Sequence, residues 1–217
     1  MNLKTITLVF KTNKPVTESP EKLRGFIGNK FPDYPILHHH IKEAGYVYTY
    51  PRVQYKIISG TPIVFGLEEG AEVVKKISSD IDKLLLGKQT YRVEEKRIIE
   101  KMWEFGKIKE HKQYKFITPW LALNEENYEK YKCMNGKDQI LLLHRILIGN
   151  ILSIAKAFDY VVLSKLMVKT NVKPTKVQSK GIPLIGFVGE FRINFDLPDL
   201  IGIGKSVSRG FGTIKYA

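Results

Sequence analysis

Val53-Gln54-Tyr55-Lys56-Ile57-Ile58-Ser59-Gly60-Thr61-Pro62-Ile63-Val64-Phe65-Gly66-Leu67 sets two runs of β-branched and aromatic residues around Ser59-Gly60-Thr61. Runs of this kind, residues 53–59 and 62–67, broken by a glycine-containing turn, predict a β-hairpin. What flanks the hairpin decides the fold. Upstream, residues 3–12 read as a strand. Ser19 then stands as an N-cap, with Pro20 at the first position of a helix over residues 20–31 that turns Leu23, Ile27 and Phe31 inward. Residues 32–44 form a loop with three consecutive histidines, and residues 46–50 are a further strand candidate. Downstream, residues 69–86 predict an amphipathic helix with Val73, Val74, Ile77, Ile81, Leu84 and Leu85 on its inner face. Strands follow around residues 90–103. The order β-α-β-β-α-β is the split βαβ arrangement of a ferredoxin-like domain.

The pattern restarts near Lys109. A strand over residues 112–121 precedes a short helix, 125–132, and a long one, 137–160. Two long strands, 165–180 and 183–196, meet at Gly181-Ile182. Only residues 197–201 are left for a second helix before a glycine-rich loop and a last strand, 211–216. The expected fold is therefore α+β: two tandem ferredoxin-like (βαββαβ) domains with antiparallel sheets and helices on one face. The boundary is placed at residues 1–108 and 109–217.

The 217 residues include 35 Lys+Arg and 22 Asp+Glu, a formal net charge of +13. Residues 160–217 alone hold nine cations against three acids. Such a field favours a polyanionic partner. Cys133 is the only cysteine, which excludes a disulfide framework and a cysteine-based zinc site within one chain. The apolar run of residues 6–10 is too short for a signal peptide. Residues 140–158 are the most apolar stretch, but they contain His144, Arg145, Asn150 and Lys156, which makes a poor membrane span. The expectation is a cytoplasmic, prokaryotic protein with no membrane partner.

The loop is Gly202-Ile203-Gly204-Lys205-Ser206-Val207-Ser208-Arg209-Gly210-Phe211-Gly212. Glycines let a backbone approach a ligand closely, and successive N–H groups in such a loop make an anion site. Lys205 and Arg209 add charge, and Ser206 and Ser208 add donors. A nucleotide P-loop would need glycine at Asp199 and a following helix, and a dinucleotide fingerprint would need glycine at Val207. What remains is a backbone-tracking loop for nucleic acid, with Gly202, Gly204, Gly210 and Gly212 allowing the approach. The competing reading is a plain glycine-rich turn.

That loop, followed by a hydrophobic strand, resembles the signature of the CRISPR-associated endoribonucleases that cut precursor CRISPR RNA. These belong to the RAMP superfamily of paired ferredoxin-like domains. Leu23-Arg24-Gly25-Phe26-Ile27, the histidine cluster and Tyr50-Pro51-Arg52-Val53-Gln54-Tyr55-Lys56 look like one branch of it. The resemblance implies a metal-independent endoribonuclease without cofactor. The 2′-OH of the RNA attacks the adjacent phosphate, leaving a 2′,3′-cyclic phosphate and a 5′-OH. It implies precursor CRISPR repeat RNA as substrate, and admits other CRISPR complex subunits and a second copy of the chain as partners. Related subunits bind RNA through such loops without cutting it, so a non-cleaving RNA-binding subunit is the alternative function.

The chemistry asks for a base near the 2′-OH, an acid near the leaving oxygen and cations on the phosphorane. In an extended stretch side chains alternate, so His38 and His40 would face one way and His39 the other. His38 and His40, with Tyr46 beside them, are the candidate catalytic groups. Backbone alternation and the lack of a nearby cysteine or carboxylate cluster argue against a three-histidine metal site. Arg52 and Lys56 are candidate phosphate contacts. Tyr46, Tyr48 and Tyr50 could stack on bases, and equally could be ordinary packing groups. His144, on the apolar side of the long helix, reads as a packed structural histidine.

Overall fold

The computed structural model describes residues 1–38, 50–179 and 181–217. Residues 46–49 of the strand candidate at 46–50, and the histidine positions 39 and 40, lie outside those residues. Two compact units are present. One comprises Asn2–Trp103 with Val207–Gly210, the other Met1, Glu104–Ser206 and Phe211–Ala217.

In the first unit, β1 (Asn2–Thr12) is followed by α1 (Pro20–Lys30), β2 (Val53–Ile58), β3 (Thr61–Leu67) and α2 (Glu69–Ile77). Two more strands follow, β4 (Lys83–Leu86) and β5 (Gln89–Glu104). The sheet order is β2-β3-β1-β5-β4. The hairpin pairs Val53 with Gly66 and Ile58 with Thr61. Positive φ at Ser59 and Gly60 makes its tight turn. Alternation along β1 turns Ile6, Leu8 and Phe10 into the core. From α1 come Leu23 and Ile27, and from α2 Ala71, Val74 and Ile77, to close the core. Ser19 occupies the N-cap position of α1 with extended dihedrals, but its side chain caps nothing. Pro20, which has no N–H to satisfy, starts the helix.

The expected helix over 69–86 is shorter. It ends at Ile77, passes through a 3₁₀ turn, Ser78–Asp80, and gives way to β4. Ser78 Oγ donates to the Lys75 carbonyl at 2.7 Å, offering the backbone an exit that competes with further helix. β4 then pairs Leu84 with Tyr91 and Leu86 with Gln89. Leu84 and Leu86 are buried while Leu85 is 46% exposed, the period of a strand. β5 thus takes the fourth-strand place of a ferredoxin-like sheet, and β4 is an added edge.

The second unit holds β6 (Gly106–Trp120), α3 (Glu125–Cys133), α4 (Gly136–Ala157), β7 (Val168–Ser179), β8 (Ile182–Asp196) and β9 (Ile214–Tyr216). Its sheet order, β7-β8-β6-β9, is that of a ferredoxin-like domain. Asn135 caps α4, accepting from the N–H groups of Lys137 and Asp138 at 3.0 and 3.1 Å. α4 turns Leu143, Leu147, Ile151 and Ile154 into a core with Tyr114, Phe116, Trp120, Phe187, Phe191 and Phe195. Phe116 and Trp120 stack with ring centroids 5.3 Å apart. Between β8 and β9 the second helix is reduced to one 3₁₀ turn, Val207–Arg209, inside the glycine-rich loop. The fold is α+β, two tandem ferredoxin-like domains.

Candidate functional site

Helix α1 stops at Phe31, whose N–H still reaches the Ile27 carbonyl at 3.1 Å, because Pro32 cannot continue it. Pro35 opens a single 3₁₀ turn, Pro35–Leu37, and His38 closes it with its N–H on the Pro35 carbonyl at 3.0 Å. Leu37 is 1% exposed and anchors the turn in the core. Its carbonyl accepts the Tyr55 hydroxyl at 3.1 Å. The His38 carbonyl accepts the Arg24 guanidinium from α1. The His38 ring lies against Gly28, also on α1. A Cβ placed on that glycine would come within 2.6 Å of both ring nitrogens. His38 itself is half-buried. Its dihedrals, φ −94° and ψ −17°, are helical rather than extended, so strand alternation does not set its direction. His40 and Tyr46 lie outside the described residues.

Beside this seat sits the tip of the glycine-rich loop. Arg209 Nη1 donates to Glu21 Oε1 on α1 at 3.1 Å. A Cβ on Gly210, whose φ is +84°, would meet Pro20 Cγ at 2.8 Å and the Tyr55 carbonyl at 3.0 Å. Burial lowers the Arg24 pKa, and the nearby Arg209 acts in the same direction, with Tyr55 and Glu21 opposing. Burial raises the Tyr55 hydroxyl, against the Arg24 charge. The first unit therefore gathers His38, Arg24, Glu21, Tyr55 and Arg209 in one polar cluster. A histidine on a backbone tied to this cluster, with its ring against α1, has the elements of proton transfer next to an anionic phosphate.

The other candidates fall elsewhere. Arg52 Nε donates to Glu69 Oε1 at 2.7 Å, so this cation is already ion-paired. Lys56 has no exposed surface. Its ammonium donates to Gln54 Oε1 at 3.1 Å and lies 5.8 Å from the Phe65 ring centroid. Gln54 in turn donates to the Tyr50 hydroxyl at 2.8 Å. Position 56 lies with Gln54 on the face of β2 opposite the core residues Val53, Tyr55 and Ile57. It is nevertheless fully covered, so a surface phosphate does not reach it where it stands, and this corrects the expectation of a phosphate contact there. Burial draws its pKa down to about 7. His144 is a packed histidine: its Nε2 accepts the Thr170 N–H at 3.0 Å, and burial lowers its pKa.

The glycines of the loop answer to packing. A Cβ on Gly204 (φ +93°) would meet Trp120 Nε1 at 2.6 Å, and one on Gly212 (φ +63°) would meet the Ile203 carbonyl carbon at 2.9 Å. Gly202 bridges Thr213. The N–H groups of Ile203, Lys205, Gly210 and Gly212 go to the carbonyls of Gly212, Leu121, Val207 and Pro119. Of the loop side chains Lys205 is exposed, Ser206 and Arg209 are half-buried and Ser208 is buried. Among the described residues no group of three or more His, Cys, Asp or Glu could hold a metal ion.

Sequence reasoning did not single out Gly28, Glu21 or Tyr55 as parts of the site, and it quoted Arg24 only within a family-like segment. One signal was available for Gly28: a glycine in a helix interior is costly and asks for a packing reason.

Comparison with known proteins covers both units. Residues 1–104 match the family model for the Cas6b N-terminal domain, and residues 106–217 that for the Cas6b C-terminal domain. A solved structure described as Cas6b superposes with a TM-score of 0.94 at 37% identity, covering 100% of both chains. A second, described as the CRISPR RNA processing endoribonuclease Cas6b, gives 0.81 at 34% identity, again over 100% of both. A Cas6 product complex shares the fold, with a TM-score of 0.62 at 16% identity over 99% of both chains. An uncharacterised protein of Methanocaldococcus jannaschii is 43% identical over 140 residues, 64% of this chain and 95% of its own length.

Proposed function

The chain belongs to the Cas6b family, and from that premise we propose that it is an endoribonuclease that processes CRISPR repeat RNA without a metal ion. The ribose 2′-oxygen forms a bond to the adjacent phosphorus and gives its proton to a base. The P–O5′ bond breaks, and the leaving 5′-oxygen takes a proton from an acid. The products are a 2′,3′-cyclic phosphate and a 5′-OH. His38 serves as one of the two proton-transfer groups, with His40 and Tyr46 as candidates for the other. The observation that carries this reading is the anchoring of His38 on three sides, by Tyr55 through Leu37, by Arg24 and by Gly28. A histidine whose backbone is anchored on both sides and whose ring lies against α1 presents its imidazole from a defined place, which suits proton transfer. Arg24 holds the His38 backbone, Arg209 is paired with Glu21, and Lys205 is an exposed phosphate contact elsewhere on the loop.

Incubation of the protein with end-labelled repeat RNA in EDTA, followed by mapping of the ends, tests the proposal. Cutting should persist and leave the cyclic phosphate. Deoxyribose 5′ of the cut should abolish cleavage and leave binding intact, because only the nucleophile is gone. A strict Mg²⁺ requirement or a 3′-OH product overturns the mechanism.

A further inference from the structure

Helix α1 contains two glycines with opposite surroundings. A Cβ on Gly25 would find nothing within 4 Å, whereas one on Gly28 would strike the His38 imidazole. Arg24, four residues before Gly28, holds the His38 carbonyl. Residues four apart lie on one face of a helix, so one stripe of α1 takes hold of His38 twice, by its backbone and by its ring. Glycine in a helix interior forfeits backbone entropy relative to alanine. At Gly28 the missing side chain is the space the ring occupies.

We infer that Gly28 and Arg24 are positioning residues for His38, forming a seat on α1 that fixes the imidazole for proton transfer. The inference rests on the reading of His38 as a catalytic group. Neither seat residue touches the reacting atoms; both act through the histidine. The neighbour a Gly28 methyl meets is a side chain with two rotatable bonds, so the ring yields before the helix does. Displacement of a reacting group by about 1 Å costs roughly 10²-fold in rate.

Gly28→Ala is compared with Gly25→Ala and wild type. The readouts are single-turnover cleavage of repeat RNA across pH, RNA affinity, and the ring signals of His38 in heteronuclear NMR, assigned by their loss in His38→Gln. Alanine favours the helix, so both variants should fold, as circular dichroism would confirm. Gly28→Ala should shift the His38 ring signals and slow cleavage by roughly 10²-fold with RNA affinity unchanged; Gly25→Ala should do neither. Arg24→Met should also slow cleavage, with Arg24→Lys partly restoring it. Unmoved ring signals in a folded Gly28→Ala, or equal losses in both glycine variants, overturn the seat. Shifted signals with full activity in both Gly28→Ala and His38→Gln leave the seat standing and overturn the catalytic reading of His38 instead.

Discussion

Lys56 is a cationic side chain with no exposed surface, and burial draws its pKa from 10.5 to about 7. Between those values the folded protein holds it neutral while the unfolded chain is protonated. The unfolded state then binds more protons, so stability rises with pH across that window. Below it both states are charged, above it neither is, and the dependence disappears. Urea unfolding of wild type and Lys56→Met at about pH 7.5 and about pH 9.5 should show wild type gaining on the variant by about 2 kcal/mol over those two units. A constant difference would show that the lysine titrates as an exposed one does. His38 differs in kind, being half-buried. His38→Ala should slow single-turnover cleavage by roughly 10²–10⁴ and barely change RNA affinity. A wild-type rate would move the search to the tyrosines.

Within an element the same residue type serves different ends. Gly212 has φ +63° and its Cα faces the Ile203 backbone, so Gly212→Ala meets both a strained dihedral and an unyielding neighbour. It should lower stability by about 1–3 kcal/mol, measured as a lower urea midpoint, while exposed Lys205→Ala should stay within about 0.5 kcal/mol of wild type. Equal midpoints would show that the loop relaxes freely. Elements whose apolar period was unambiguous were legible in the sequence: β1, α1, the β2–β3 hairpin, and α4 behind its Asn135 cap. The stretch after Ile77 was not, because Ile77, Ile81 and Leu84 satisfy a helical spacing, while the strand period shows only at Leu84, Leu85 and Leu86. A run of three leucines fits either period, and Ser78 decided between them. The site was legible as residue types, the histidines and the loop cations. It was not legible as geometry. That Gly28 holds the ring of a residue ten positions on depends on a 3₁₀ turn anchored by Leu37 and Tyr55, and no local spacing rule yields that.

At the scale of the whole chain, a net charge of +13 supplies attraction for RNA from any direction, and the question is which cations neutralise phosphates. Counting positive residues does not answer it. Arg52 is paired with Glu69, Lys112 with Asp196 and Arg209 with Glu21, and Lys56 is buried. A cation held by a carboxylate gains less from a phosphate, because the first partner must be released or left uncompensated. Lys205 is exposed and sits on a backbone fixed by its own N–H on the Leu121 carbonyl at 3.1 Å. Each phosphate contact contributes about 0.7 to the salt slope of log K for single-stranded RNA. Lys205→Ala should therefore flatten that slope by about 0.7 in titrations at several salt concentrations. Adding Arg209→Ala should leave the slope where the single variant put it, because Arg209 is engaged by Glu21, although affinity falls as the Glu21 charge is exposed. A slope reduced by about 1.4 in the double variant would mean that Arg209 leaves Glu21 for the RNA. An unchanged slope in Lys205→Ala would mean that the loop folds the chain and that RNA is held by other cations.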